Sequence, residues 1–162
     1  MRNCAEPQSD HAFLMEYLMR TNAKPKPQPP FISEQEISLS RVGKAIEQFI
    51  NTEGFDEKIG GLLFEETLDW PIWIWVDHDY RYIILKTCRV ADIFANGREA
   101  MNWVNTANEQ IELVQFHIAD GRIWGRHWIS YVDGVNIGRV IETLRRFSSS
   151  FLAGVMIQLD HA

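Results

Sequence analysis

Cysteine is scarce in this chain: Cys4 in a polar stretch and Cys88 in an apolar one are the two present. That excludes a disulfide-stapled secreted scaffold. The pair read as free thiols of a reducing cytoplasm, with Cys88 as a small core side chain. Long apolar runs are missing too. None approaches the ~20 residues of a membrane span, and the first ten residues lack the apolar stretch of a signal peptide, so no membrane association is expected. Positive charge is in deficit, with 16 Lys and Arg against 22 Asp and Glu and a net charge of −6. Phosphate recognition needs a basic field, so nucleic acid is not an expected partner. Catalytic signatures are absent as well: there is no G-x-S-x-G, no Walker loop and no dinucleotide-binding fingerprint. The expectation is a cytoplasmic, non-enzymatic protein with no cofactor.

What is present suits an ordinary globular domain. Of the 162 residues, 46% are hydrophobic and 23% charged. A chain of this size buries roughly 68–70% of its unfolded surface in a single core and needs no metal staple. Four of the six prolines fall within residues 24–30 (KPKPQPP), too dense for helix or central strand, and predict a stiff polyproline-II spacer. The spacer divides an arm, residues 1–30, from a body, residues 31–162. In the arm, Ser9 or Asp10 can cap a short helix over about 11–20 that puts Phe13, Leu14, Tyr17 and Leu18 on one face. So short a helix is marginal alone, so those four side chains are expected to contact the body of this chain or another chain.

Along the body, Ser33–Glu36 has capping-box spacing, with Ser38 and Ser40 as rival caps. Leu39, Val42, Ile46, Phe49 and Ile50 keep helical spacing up to a stop at Gly54. Strands are predicted at about 61–65, 70–76 and 81–89. A helix follows over 98–110, with Met101, Val104 and Ala107 on its apolar side. Two more strands, about 112–119 and 122–131, flank Asp120-Gly121, a strong hairpin signal. The last helix spans about 136–158, striped by Val140, Leu144, Phe147, Phe151 and Val155. The order α-β-β-β-α-β-β-α makes an α+β domain with helices packed on an antiparallel sheet.

Strand parity then assigns faces. About the Asp120-Gly121 turn, Val114, Phe116, Ile118, Ile123, Ile129 and Tyr131 share a core face. Gln115, His117, Arg122, Trp124, Arg126 and Trp128 share the other. About a turn at His78-Asp79, Ile72, Ile74, Val76, Ile83 and Leu85 face the core. Trp73, Trp75, Tyr80, Tyr82 and Ile84 face away. The second face of a half-covered antiparallel sheet is ordinarily polar, yet here it carries four of the six tryptophans. Exposed aromatic patches mark interfaces, and Trp, Tyr and Arg are their usual anchors. Trp73, Trp75, Tyr82, Trp124 and Trp128 are therefore expected to bury against a protein partner, with Arg122 and Arg126 orienting it. Cover by the arm, or a small-molecule pocket serving a sensing role, are the alternatives.

Element order and spacing also carry a resemblance, over about residues 38–158. The stretches 42–55 (VGKAIEQFINTEGF), 100–108 (AMNWVNTAN), 116–123 (FHIADGRI) and 134–147 (GVNIGRVIETLRRF) resemble the YbjN-type domain of bacterial proteins. That domain shares its fold with the type III secretion chaperones. The resemblance implies a homodimer used for protein binding or regulation. Asn102, Asn105 and Asn108 would then line a polar dimer surface, or else a wet helix face. The proline-spaced arm and the density of tryptophan depart from the pattern.

Other clusters carry less. Asp77-His78-Asp79 falls where a turn must, with no completing metal-ligand motif, so no metal is expected. His127 should point coreward as a structural histidine. Glu65, Glu66 and Asp69 read as a solvated loop, Gly60-Gly61 as a turn, and Arg139, Arg145 and Arg146 as a solvated helix face.

Overall fold

Apolar spacing sets where the elements lie in the computed structural model, which describes residues 28–50, 54–56 (backbone), 61–64, 68–92, 94 and 96–157. Helix α1 (Leu39–Glu47) begins where Ser38 Oγ accepts the Arg41 N–H at 3.2 Å, supplying a partner that a helix start lacks. Ser33 instead opens a 3-10 turn, Glu34–Glu36, and its hydroxyl donates to Glu36 Oε2 at 2.6 Å. That bond, with Arg41 nearby, holds the Glu36 carboxyl below its ordinary pKa. The helix ends before Gly54, which opens a strand rather than stopping a helix.

The sheet strands are β2 (Gly54–Asp56), β3 (Gly61–Phe64), β4 (Ile72–Asp77), β5 (Tyr82–Val90), β6 (Gln115–Ala119) and β7 (Arg122–Ser130). They form one antiparallel sheet in the order β2-β3-β4-β5-β7-β6. A separate two-stranded sheet pairs β1 (Phe31–Ile32) with β8 (Val135–Asn136). The fold is therefore α+β. Strands β1, β2 and β8 have no counterpart in the sequence expectation, because two or three residues carry no periodicity. The pair β1 and β8 ties the start of the body to the last helix, helped by the Pro30 carbonyl, which accepts the Ile137 N–H at 3.0 Å.

Helix α2 (Gly97–Gln110) starts where Asn96 Oδ1 accepts the Arg98 and Glu99 amides. Its buried side differs from the predicted stripe: Trp103 and Ala107 are buried, whereas Met101 is 62% exposed. Trp103 wins the core position because its large ring fills the space between Phe94 and Phe116, with centroids 5.5 and 5.3 Å away. Helix α3 (Ile137–Ile157) buries Val140, Leu144, Phe147, Phe151 and Val155 completely, each worth roughly 1.5–3 kcal/mol if fully desolvated on folding. It crosses β5 and β7, while α1 covers β3 and β4 and α2 lies along β6. Gly125 of β7 permits that approach, since a Cβ there would sit 2.6 Å from the Phe151 ring. Buried Ser148 of α3 fastens the loop ahead of β4, accepting the Trp70 N–H at 2.6 Å and donating to the Trp70 carbonyl at 2.9 Å. Among the described residues no helix is long and apolar enough to cross a membrane.

Candidate binding face

Two hairpins build the face. In the second, Asp120 and Gly121 take φ of 51° and 67°, the left-handed pair of a tight hairpin turn. His117 pairs with Trp124 and Gln115 with Arg126, the register that parity predicts. The first hairpin turns differently. Asp77 pairs with Tyr82, so the loop is the four residues 78–81, longer by two than a His78-Asp79 turn. Asp77 Oδ1 accepts the Asp79 and Tyr80 amides at 3.1 and 3.0 Å, and Arg81 takes a φ of 58°, which stabilises the wider turn. A two-residue shift preserves strand parity. The inner set Ile72, Ile74, Ile83 and Leu85 is accordingly buried. Tyr80 is the casualty: it sits in the loop, 75% exposed, and not on the sheet face.

The sequence could not show how the hairpins meet. Strand β5 pairs with β7 over its whole length, with Lys86 opposite Arg126 and Ile84 opposite Trp128. Directly opposed residues share a face, so the two aromatic faces fuse into one. It is organised in rows across the strands: Trp75–Ile84–Trp128, then Trp73–Lys86–Arg126–Gln115, then Cys88–Trp124–His117, with Val90–Arg122–Ala119 beyond. Trp73, Trp75, Tyr82, Trp124, Trp128, Arg122 and Arg126 thus stand together, and none of the described helices buries them. Trp128 is 39% and Tyr82 36% exposed, and the other five are intermediate apart from exposed Arg122. Cys88 belongs to this outer face and not to the core, because it shares parity with Lys86. Its Sγ accepts from Arg122 Nη1 at 3.4 Å.

Charge gathers in the middle row. Lys86 is the site residue that sequence reasoning passed over, although its parity with Tyr82 and Ile84 placed it here. Its Nζ lies 4.5 Å from the Trp75 ring centroid, a cation–π contact. Burial, and then the neighbouring Arg126 charge, lowers its pKa. His117 stacks on Trp124 with centroids 6.4 Å apart and planes 17° from parallel. Burial first, then Arg126 and Lys86, lowers its pKa also. Over β4 to β7 the outer positions hold three cations (Lys86, Arg122 and Arg126) and one carboxylate, Asp77, whose Oδ1 caps the turn. Among the described residues the ion pairs Arg41–Glu36 and Arg81–Glu34 lie elsewhere. Arg126 Nε, His117 Nε2 and Trp73 Nε1 are buried without a hydrogen-bond partner.

The remaining candidates fall away from this face or serve the fold. Among the described residues no group of three His, Cys, Asp or Glu side chains is placed to hold a metal ion. Cys88 and His117 stand two strands apart with Trp124 between them, roughly 10 Å, so they form no nucleophile–base pair. His127 points inward against Phe147, centroids 6.3 Å apart. Its pKa is lowered by burial, which a hydrogen bond to the Leu113 backbone partly offsets. Asn108 is a structural clamp: its amide donates to the Phe116 carbonyl at 3.0 Å and accepts the Phe116 N–H at 2.7 Å. Asn102 and Asn105 are exposed, as are Arg139, Arg145 and Arg146 on α3. Asp69 accepts a hydrogen bond from Ser149. Phe13, Leu14, Tyr17 and Leu18 of the arm, together with Glu65, Glu66 and Gly60, lie outside the described residues. Comparison of the chain with protein-family models, with curated proteins and with solved structures gave no match in any of the three.

Proposed function

We propose that this chain is a non-catalytic protein-binding domain, a chaperone-like or regulatory adaptor that acts as a cytoplasmic homodimer. It engages its protein partner through the outer face of the six-stranded sheet. The observation that carries this reading is the row of Trp75, Ile84 and Trp128, with Trp73 in the next row and Trp124 in the one beyond, on a face that no described helix covers. Tryptophan side chains with neighbouring arginine, exposed on one face, are what protein interfaces bury for most of their affinity. The resemblance to YbjN-type domains supports the same reading, since those are binding rather than catalytic folds. Site-directed cross-linking tests it. With Trp128→benzoylphenylalanine, irradiation in cells should give a discrete adduct with another protein, lost on adding Trp124→Ala. The same photoreactive residue at exposed Arg145 of α3 should give none. Equal adducts from both positions, or none from residue 128, would falsify the reading.

A second reading rests on one further feature. Trp75, Ile84, Lys86 and the 77–79 turn line an open hollow of about 480 Å³ on the same face, within the size range of small-molecule sites. A sensing role predicts that some metabolite raises the melting temperature, since a ligand of the folded state stabilises it. The gain should vanish in Lys86→Gln.

A further inference from the structure

Two cations in register on neighbouring strands repel one another, and like charges directly opposed weaken a sheet. Lys86 and Arg126 are such a pair, in the centre of the face rather than at its rim. Neither has a carboxylate partner among the described residues, and Arg126 Nε is buried with its hydrogen-bonding capacity unused. A protein with a net charge of −6 has an excess of carboxylates for neutralising such a pair. The middle of this face is instead left cationic and partly desolvated, the arrangement that makes a charge-assisted hydrogen bond strong once an anion arrives.

Row spacing specifies the anion further. Successive rows lie two residues apart along the strands, about 7 Å. An extended peptide laid along β5 and β7 presents same-side residues at that interval. The order across the face is aromatic (Trp75–Ile84–Trp128), cationic (Lys86–Arg126), then aromatic again (Trp124–His117). Resting on the protein-binding reading above, we infer that the partner segment is extended and acidic. It has an Asp or Glu over Lys86 and Arg126, and an apolar residue two positions to either side. A polyphosphate is the weaker fit: the cations do not continue as a track, and the rest of the molecule repels nucleic acid.

The experiment uses the full chain and a dye-labelled peptide, Ser-Phe-Ser-Glu-Ser-Phe-Ser, read by fluorescence anisotropy. Binding should weaken about tenfold or more when the peptide's Glu is replaced by Gln. A comparable loss is expected when the protein carries Lys86→Gln or Arg126→Gln. Both protein variants should keep an unchanged or higher melting temperature, because each relieves the repulsion. Equal binding of the Glu and Gln peptides, with loss in Trp124→Ala/Trp128→Ala, overturns the acidic specificity and leaves the face as a binding surface. Glu-peptide binding indifferent to Lys86, Arg126 and both tryptophans overturns this inference and the reading beneath it. No detectable binding of either peptide overturns the inference. So does a thymidine 20-mer that binds more tightly with the same variant dependence, since the occupant is then a nucleic acid.

Discussion

Single side chains divide between those that close the fold and those that leave it open. His127 is of the first kind: it is half-buried against Phe147, and burial lowers its pKa. His117 on the outer face shifts the same way. A histidine whose folded pKa lies below its unfolded value near 6.5 takes up protons more readily when unfolded. The stability it contributes is complete above that value and is lost as pH falls from there toward the folded pKa. Urea midpoints should therefore drop between pH 7.5 and pH 5.5. His127→Gln should flatten that dependence without abolishing it, since His117 still titrates. An unchanged slope in the variant would remove His127 from this role.

At the scale of elements, parity made most of the candidate face legible. Alternation placed Trp73, Trp75, Trp124 and Trp128 outward, and the Asp120-Gly121 turn set its register correctly. Even the misjudged first turn did little harm, because its error of two residues left every paired strand position on the right side. Tyr80 was lost since it sits in the loop itself, and Cys88 because an apolar neighbourhood in sequence says nothing of parity. Trp103 displaced Met101 from the core for reasons of volume that helical periodicity does not weigh. The seam between β5 and β7 and the pairing of β1 with β8 are long-range and not encoded in local pattern, while β2 pairs locally with β3 and is too short to show a period. Asn108 shows how an element's edge is finished. Its amide occupies the outward N–H and C=O of Phe116 on edge strand β6, groups that otherwise invite another strand. Asn108→Ala should cost about 1–3 kcal/mol by leaving them unsatisfied and should raise thioflavin-positive aggregation on mild heating. Wild-type stability and solubility in that variant would show the edge protected by other means.

For the whole molecule, the line between arm and body falls inside the proline spacer. Pro29 lies against Gly138 and the Pro30 carbonyl bonds the start of α3, so the last prolines of the spacer belong to the body. A version of the protein beginning at Gln28 keeps both contacts and isolates the effect of the arm. If the homodimer is formed by the body, light scattering should give twice the single-chain mass for both proteins, the full chain being 18.8 kDa. A dimer that dissociates on removing residues 1–27 makes the arm the dimerisation device, and a full-length monomer rules the homodimer out.

The seam between β5 and β7 also places the face in time. Lys86 and Arg126 lie on hairpins separated in the chain by all of α2, so pairing them closes a long loop and comes late in folding. The rows that run across both hairpins, Trp75–Ile84–Trp128 and Trp73–Lys86–Arg126, exist only once β5 and β7 have paired. Recognition that needs Lys86 and Arg126 side by side, as proposed above, is thereby withheld until the sheet has closed.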